Sequence, residues 1–357
     1  MNETQTLLAE TCNRLFTDLV TPDSLRAAEA GEWPAELWSA LEENGLTCAL
    51  VPEDQGGAGL SWQDVYPVLH AAGYHAAPVP LAETIVASWQ LAQSGMPVPD
   101  GAITLADDQN TLNLAGGDGA WRVSGQLKQV PWAGSAKHIL AVAKHDELRK
   151  FVLLESDSFS VQSDMNIGRD PRGAIRVLDA KPVAVADVQN AFISVPMLLF
   201  AALARSVQMA GAIAGVLDLC VQYAGDRMQF GRPLAKFQAI QHQLAILATE
   251  AAAAQIAAQF SCRAVDVAPL PSMVVNEIAI AKIRTGEAAG KAAAIAHQVH
   301  GAIGFTDEYQ LHYLTRRLWS WRSEFGAESL WAAHLGACIP NWGADSLWSY
   351  ITSLPKE

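Results

Sequence analysis

Charge is scarce in this 357-residue chain: 17% of residues are Asp, Glu, Lys or Arg, while half are hydrophobic. That balance excludes general disorder, because enough apolar surface is available to offset the entropy lost on folding. Basic residues are the scarcer sign, 24 against 37 acidic, for a net charge of −13. Such a chain repels nucleic acid and anionic membrane in bulk, so neither is an expected partner. A local arginine cluster for a phosphorylated ligand stays open. Cysteine is confined to Cys12, Cys48, Cys220, Cys262 and Cys338, an odd number without CxxC spacing. A disulfide framework and a zinc site are therefore not expected; buried free thiols in a reducing compartment are. The opening MNETQTLLAETCNRLF lacks a basic segment followed by an apolar run. No stretch reaches the roughly 20 consecutive apolar residues that span a bilayer. The expectation is a cytoplasmic protein with no signal peptide. GxGxxG between strand and helix, Walker A, HExxH and GxSxG are also missing, which sets aside the corresponding nucleotide, zinc-protease and hydrolase chemistries. There is no fixed-period repeat. The nine histidines are dispersed, and His297 with His300 alone makes a poor metal site.

What is present divides into three textures, giving an α+β class with domains at 1–100, 101–188 and 189–357. The first is helical. Trp33-Pro34-Ala35-Glu36-Leu37-Trp38 opens an amphipathic segment with Leu37, Leu41 and Leu46 near one face, and further helices are expected at roughly 62–74 and 80–94. Val51-Pro52-Glu53-Asp54-Gln55-Gly56-Gly57-Ala58-Gly59 reads as a loop, and Met96-Pro97-Val98-Pro99-Asp100-Gly101 as a linker. The second texture consists of short apolar runs, 121–125, 139–143, 151–154 and 175–178, expected as strands of a small antiparallel domain with a hairpin turn at Gly116-Gly117-Asp118-Gly119. The third is Ala-rich and helical, with Phe237, Ile240, Leu244, Leu247, Ala248 and Ala251 recurring on one face. Small residues at contacts suit a close-packed four-helix bundle.

Two constellations stand out. In Arg227-Met228-Gln229-Phe230-Gly231-Arg232-Pro233, a long helix is expected to end near Gly231, with a second starting near Lys236. The turn presents guanidinium groups that suit phosphate oxygens and an aromatic ring that suits a heterocyclic base. A helix C-terminus with favourable dipole charges and a core Phe is the alternative. In Gln298-Val299-His300-Gly301-Ala302-Ile303-Gly304-Phe305-Thr306, small residues let another molecule approach the backbone; an ordinary glycine cap is the alternative. Trp319, Trp321, Trp331, Trp342 and Trp348 in the tail serve either a pocket or partner surface or, as favoured here, core packing.

In this order and spacing the two pieces resemble the acyl-CoA dehydrogenase family of flavoproteins. Arg227 through His242 match the family's R-x-Q-F-G-[RK]-P…F-Q-x-x-Q-H, and Gln298 through Tyr309 match Q-x-x-G-[GA]-x-G-[FY]-T-x-E-[YF]. Trp33-Pro34, Gly45-Leu46, Val51-Pro52-Glu53, Gly56-Gly57 and Gly125-Gln126 extend the resemblance over nearly the whole chain. It implies α,β-desaturation of an acyl-CoA thioester, a base taking the α-proton while hydride passes to FAD lying between subunits, and an electron-transferring flavoprotein as acceptor. By the same resemblance Arg227 holds a pyrophosphate and Phe230 packs near the adenine of a neighbouring subunit's FAD. Gln229 belongs to the same motif, and Gln298 with the Gly301-Ala302 backbone lines the cofactor.

The departures point further. The family's catalytic Glu lies 27 residues after the Gln of the second motif, which here is Phe325, or 26 before the Arg of the first, which here is Ala201. Neither is a carboxylate; Glu324 is the nearest candidate base. The strand beginning T-E-P-x-A-G-S-D has no counterpart near Thr104-Leu105-Ala106-Asp107-Asp108, and the segment W-I-T-N appears as Gln129-Val130-Pro131-Trp132. The chain therefore resembles one subunit of the bacterial heterotetrameric acyl-CoA dehydrogenases, often acting on steroid side-chain CoA esters, which lends residues to a partner's FAD. A self-sufficient homo-oligomer using Glu324, and a flavin-free structural or regulatory paralogue, are the alternatives.

Overall fold

The computed structural model describes residues 2–106, 111–117, 119–188, 196–268, 274–342 and 348. Helices α1 (Glu3–Leu19), α2 (Pro22–Glu29), α3 (Ala35–Glu43), α4 (Trp62–Tyr74) and α5 (Leu81–Gln93) come first. Strands β1 (Ile103–Leu105), β2 (Thr111–Ala115), β3 (Arg122–Pro131), β4 (His138–His145), β5 (Leu148–Glu155), β6 (Phe159–Met165), β7 (Pro171–Ala180) and β8 (Ala184–Asp187) follow. Helix α6 (Pro196–Asp226) leads to a minimal hairpin of β9 (Met228–Gln229) and β10 (Arg232–Pro233). Then come α7 (Gln238–Val267), α8 (Val275–His300), α9 (Leu311–Ser323) and α10 (Glu328–Trp342). The helix, sheet, helix order is the expected one. By contact the chain forms two compact units, one of residues 1–13, 62–77 and 205–357, the other of 14–61 and 78–204.

In the second unit the sheet runs β6-β7-β3-β2-β4-β5-β8, with β1 also paired to β4. Most pairs are antiparallel, as alternating short runs joined by tight turns require. The exceptions are β1 and β2, both parallel to β4: Ile103 faces His138 and Thr111 faces Val142, so the two lie in succession along one strand. The expected hairpin joins β2 to β3, which pair antiparallel, but Asp118 lies outside the described residues. One face packs Leu112, Val123, Leu127, Ile139, Val152, Leu154, Ile175 and Val177 into a continuous core. Helix α5 is tied to β1 through Thr84, whose hydroxyl donates to Ile103 O (2.9 Å) and accepts from Ile103 N (3.2 Å).

In the first unit α4 and α6 touch backbone to backbone. A Cβ on Gly73 would stand 2.0 Å from Gln208 O, and one on Gly211 2.0 Å from His70 O, so only glycine permits the approach. Asp266 on α7 caps α4, accepting from the amides of Trp62 (2.8 Å) and Gln63 (2.9 Å). Glu250 on α7 binds Lys291 (2.7 Å) and Arg284 of α8.

Some expectations need correction. The buried face of α7 is Leu247, Glu250, Ala251, Ala254, Ala258, Ser261 and Cys262; Phe237, Ile240 and Leu244 are only half-buried and Ala248 is exposed. Helices Met197–Asp226 and Gln238–Val267 are long and apolar enough to cross a membrane by length and composition, contrary to the sequence reading. In α6, 94% of that apolar stretch is buried inside the protein, which is the signature of a core helix; in α7 the share is 33%. Of the tail tryptophans, Trp321 and Trp331 are core, whereas Trp319 and Trp348 are exposed; the Trp342 side chain lies outside the described residues. All five cysteines are free, with Cys12, Cys220 and Cys262 buried. Burial pushes the Cys12 and Cys220 thiols up to about 12.

Candidate active site and cofactor edge

The segment after α6 is not the helix terminus expected. Two residues on each side pair antiparallel, Gln229 opposite Arg232 and Met228 opposite Pro233, so Phe230-Gly231 forms the two-residue tip. Both tip residues have positive φ, 50° and 78°. Glycine adopts that conformation freely, whereas phenylalanine does so at a cost. The ring gains little in this chain for the strain: Phe230 is 91% exposed, with an edge contact to Phe237 at 6.1 Å. It is therefore not the core Phe of the alternative reading. Arg227 is exposed beside it, and Gln229 is half-buried. Arg232 lies over the Phe237 ring at 4.2 Å.

The second constellation sits at the end of α8. Gln298 is exposed; His300 ends the helix, and Gly301–Phe305 continue as a short 3-10 turn. Gly301 has φ 62°, and a Cβ there would meet nothing within 4 Å, so its backbone lies open. Ala302 is exposed next to it. A ring stack joins the two pieces. Tyr223, one turn before Arg227, stacks on His300 (4.5 Å, 25°), and His300 Nε2 meets the Tyr309 hydroxyl at 3.2 Å. Burial holds the His300 imidazole below its ordinary value, so it packs as a neutral ring. His297 is likewise structural, stacked on Phe305 (4.4 Å) and 3.2 Å from Thr315 Oγ1.

The base candidate is placed differently. Glu324 caps α9, where Oε2 pairs with Arg205 Nη2 at 3.0 Å and Oε1 accepts from Ser320 Oγ at 3.1 Å. Arg205 lies between the rings of Trp321 (5.1 Å) and Phe325 (5.4 Å) and donates to Gln208 Oε1 (2.5 Å). Phe325, at the family's usual base position, is buried with φ 54°. Beneath this corner Lys282 of α8, fully buried, donates through Nζ to the carbonyls of Trp321 (3.2 Å), Arg322 (2.8 Å) and Gly326 (2.9 Å). Burial lowers its ammonium to about 7, against the pull of Glu328 and Glu324. Arg322 Nε binds Glu328 at 2.6 Å. Sequence reasoning missed Arg205 and Lys282. Arg205 is the one charge between Pro196 and Leu217 of the apolar α6, a signal that marks a buried, partnered cation, whereas Lys282 shares α8 with Glu277, Arg284, Glu287 and Lys291 and carries no such mark. At the second possible base position, Ala201 is buried and carries no functional group.

Among the described residues of the middle domain, the Gln129–Trp132 segment offers little to a flavin ring. Pro131 has no N–H, and its carbonyl accepts from the buried Thr104 hydroxyl at 2.6 Å. The Trp132 amide donates to Pro171 O at 3.0 Å. Gln129 sits at φ 55° in an irregular stretch of β3, its side chain donating to Asp164 (3.2 Å). The donors here are consumed internally. FAD thus fits this chain at one edge: an exposed guanidinium, an exposed aromatic and an open glycine backbone suit a dinucleotide, while the strand segment is closed.

The acyl-CoA dehydrogenase N-terminal domain family matches residues 2–97, and the acyl-CoA dehydrogenase C-terminal domain family matches 195–329. The chain is 28% identical to acyl-CoA dehydrogenase IpdE2 of Mycobacterium tuberculosis, over 88% of this chain and 91% of that one. Among solved structures it is similar to a variant of the Tcur3481–Tcur3483 steroid ACAD, with a TM-score of 0.86, 27% identity and coverage of 95% and 98%. The ChsE4–ChsE5 complex of Mycobacterium tuberculosis shares the fold, with a TM-score of 0.87 at 22% identity over 96% and 99%. Two matched domains of one family, in order along the chain, with both motifs and the ring stack between them inside the second, leave one assignment: the chain belongs to the acyl-CoA dehydrogenase family, whose members are FAD-dependent oxidoreductases acting on the CH–CH bond of acyl-CoA.

Proposed function

We propose that this chain is one subunit of a hetero-oligomeric acyl-CoA dehydrogenase and lends an edge to the FAD of a second, unlike subunit. The observation that carries this is Phe230: a strained backbone holds an aromatic ring 91% exposed, in edge contact with Phe237 (6.1 Å) and otherwise open to a flat ligand. In the assembly the Phe230 ring packs on the adenine, and Arg227, with Gln229 beside it, pairs with the pyrophosphate. Gln298 and the Gly301-Ala302 backbone close the same edge. When bound, FAD supplies the hydride acceptor for α,β-desaturation. The α-proton goes to a carboxylate of the partner, because Phe325 and Ala201 have none and Glu324 is engaged by Arg205. The likeness to the steroid ACAD supports a steroid-derived acyl-CoA as substrate. An electron-transferring flavoprotein as acceptor and the cytoplasm as location belong to the same proposal.

The test is expression alone and with an acyl-CoA dehydrogenase that retains its catalytic Glu. The chain alone is expected to be colourless and inactive, and the co-purified complex yellow and able to reduce a dye with acyl-CoA. A yellow, active homo-oligomer would establish the self-sufficient alternative instead. A folded chain that acquires no flavin-bearing partner would establish the structural paralogue.

A further inference from the structure

Helices α1, α4 and α7 of the first unit enclose a pocket of about 400 Å³, within the range of small-molecule sites. Among the described residues its lining carries no Asp, Glu, Lys or Arg. It is instead rich in carboxamides: Gln5 and Asn13 from α1, Gln63 from α4, Gln255 and Gln259 from α7. Two of these are already oriented, Gln5 donating to Asp64 (3.3 Å) and Asn13 Oδ1 lying 3.2 Å from His75 Nε2. The floor is aromatic. Tyr66 and His70, one turn apart on α4, have ring centroids 5.6 Å apart at 33°.

Two polar atoms of that floor are unmet. Tyr66 is 7% exposed and lines the pocket, yet among the described residues its hydroxyl makes no hydrogen bond of usable geometry, and neither does His70 Nε2. The amides of Gln255 and Gln259 come close enough to favour the phenolate, but burial outweighs them and pushes the phenol up. Burial also brings the His70 imidazole down to about 4, so the ring is neutral and one of its nitrogens remains an acceptor. Unmet buried groups of this kind are costly unless something supplies their partners.

We infer that this pocket binds a small, uncharged, planar heterocycle bearing adjacent hydrogen-bond donor and acceptor atoms, of the lactam or aminopyrimidine class. The lack of charged lining disfavours ions, and the aromatic floor favours a flat ring. A carboxamide presents a donor and an acceptor side by side, the arrangement that reads such an edge bidentately. The Tyr66 hydroxyl and His70 Nε2 complete the ligand's remaining bonds.

Ligand-observed NMR titration of the full chain with adenine and with uracil tests this, using Tyr66→Phe and Gln259→Leu alongside. Tyr66→Phe keeps the ring and removes only the unmet hydroxyl, and Gln259 is exposed, so both variants are expected to fold. Saturable binding of at least one heterocycle in the millimolar range or tighter is expected, weakened roughly fivefold or more in each variant. The inference is overturned if neither heterocycle saturates, if both variants bind as the parent does, or if the non-planar polyol glucose competes equally well.

Discussion

Arg205 and Glu324 form an ion pair at 3.0 Å with side-chain exposures of 4% and 15%, at the corner where the family's base would stand. A carboxylate already committed to a buried guanidinium is a structural element. Removing its charge takes from the buried Arg205 the carboxylate it pairs with. Glu324→Gln is therefore expected to lower stability by about 3 kcal/mol, read from urea unfolding, while dye reduction by the assembled complex stays within a few-fold. A loss of most of kcat with unchanged unfolding would make Glu324 the base.

In the proposed assembly Arg227 serves the cofactor, and in this chain it is exposed. Arg227→Ala is expected to leave the isolated chain's unfolding unchanged. In the assembled complex it removes a charge-assisted partner worth about 1.5–3 kcal/mol, so flavin is lost on extensive dialysis. Full retention of flavin absorbance would rule the role out.

Phe230 separates strain from function. Asn tolerates positive φ better than Phe, so Phe230→Asn is expected to raise the isolated chain's stability by up to about 1 kcal/mol. The same substitution should weaken flavin retention in the complex. A variant that destabilises the isolated chain would mean that the ring packs within it.

Lys282 gives a pH dependence with a definite sign. Its native pKa is about 7, while the unfolded chain keeps roughly 10.4. Between those values the unfolded state holds more protons, so stability rises with pH. The burial penalty is full below the native value and fades toward the unfolded one. Between about pH 6.5 and 8.5 the parent should gain more stability than Lys282→Met, as measured by urea unfolding at each pH. Equal gains would show that Lys282 titrates normally.

The helix, sheet, helix order was legible because the hydrophobic period changes near Gly101 and the motifs lie in contiguous stretches. Strands β3, β4, β5 and β7 were legible because each carries a core face. Strand β6 was not: FSVQSDM is a largely exposed edge strand whose polar residues resemble a loop. The proposed cofactor edge matches a family motif, but the hairpin that displays Phe230 has only two residues per strand, too short for any periodicity. Arg205 could be read only as an isolated charge, and Lys282 only as one of several charges along α8. What they bind, Glu324 and the carbonyls at the end of α9, is far away in sequence, so only the tertiary fold brings them together.

The Asp266 cap on α4 has a consequence for the order of synthesis. Residues 14–61 and 78–204 are complete as a unit once Ala204 has been made, but α4 belongs to the other unit. Its first amides find Asp266 only when the ribosome has passed the end of α7. Until then Val65, Tyr66, Val68 and Leu69, all buried in the finished protein, have no complete core to enter. The nascent chain thus carries a sticky apolar helix for much of its elongation, and its yield should depend on chaperones more than its finished stability would suggest.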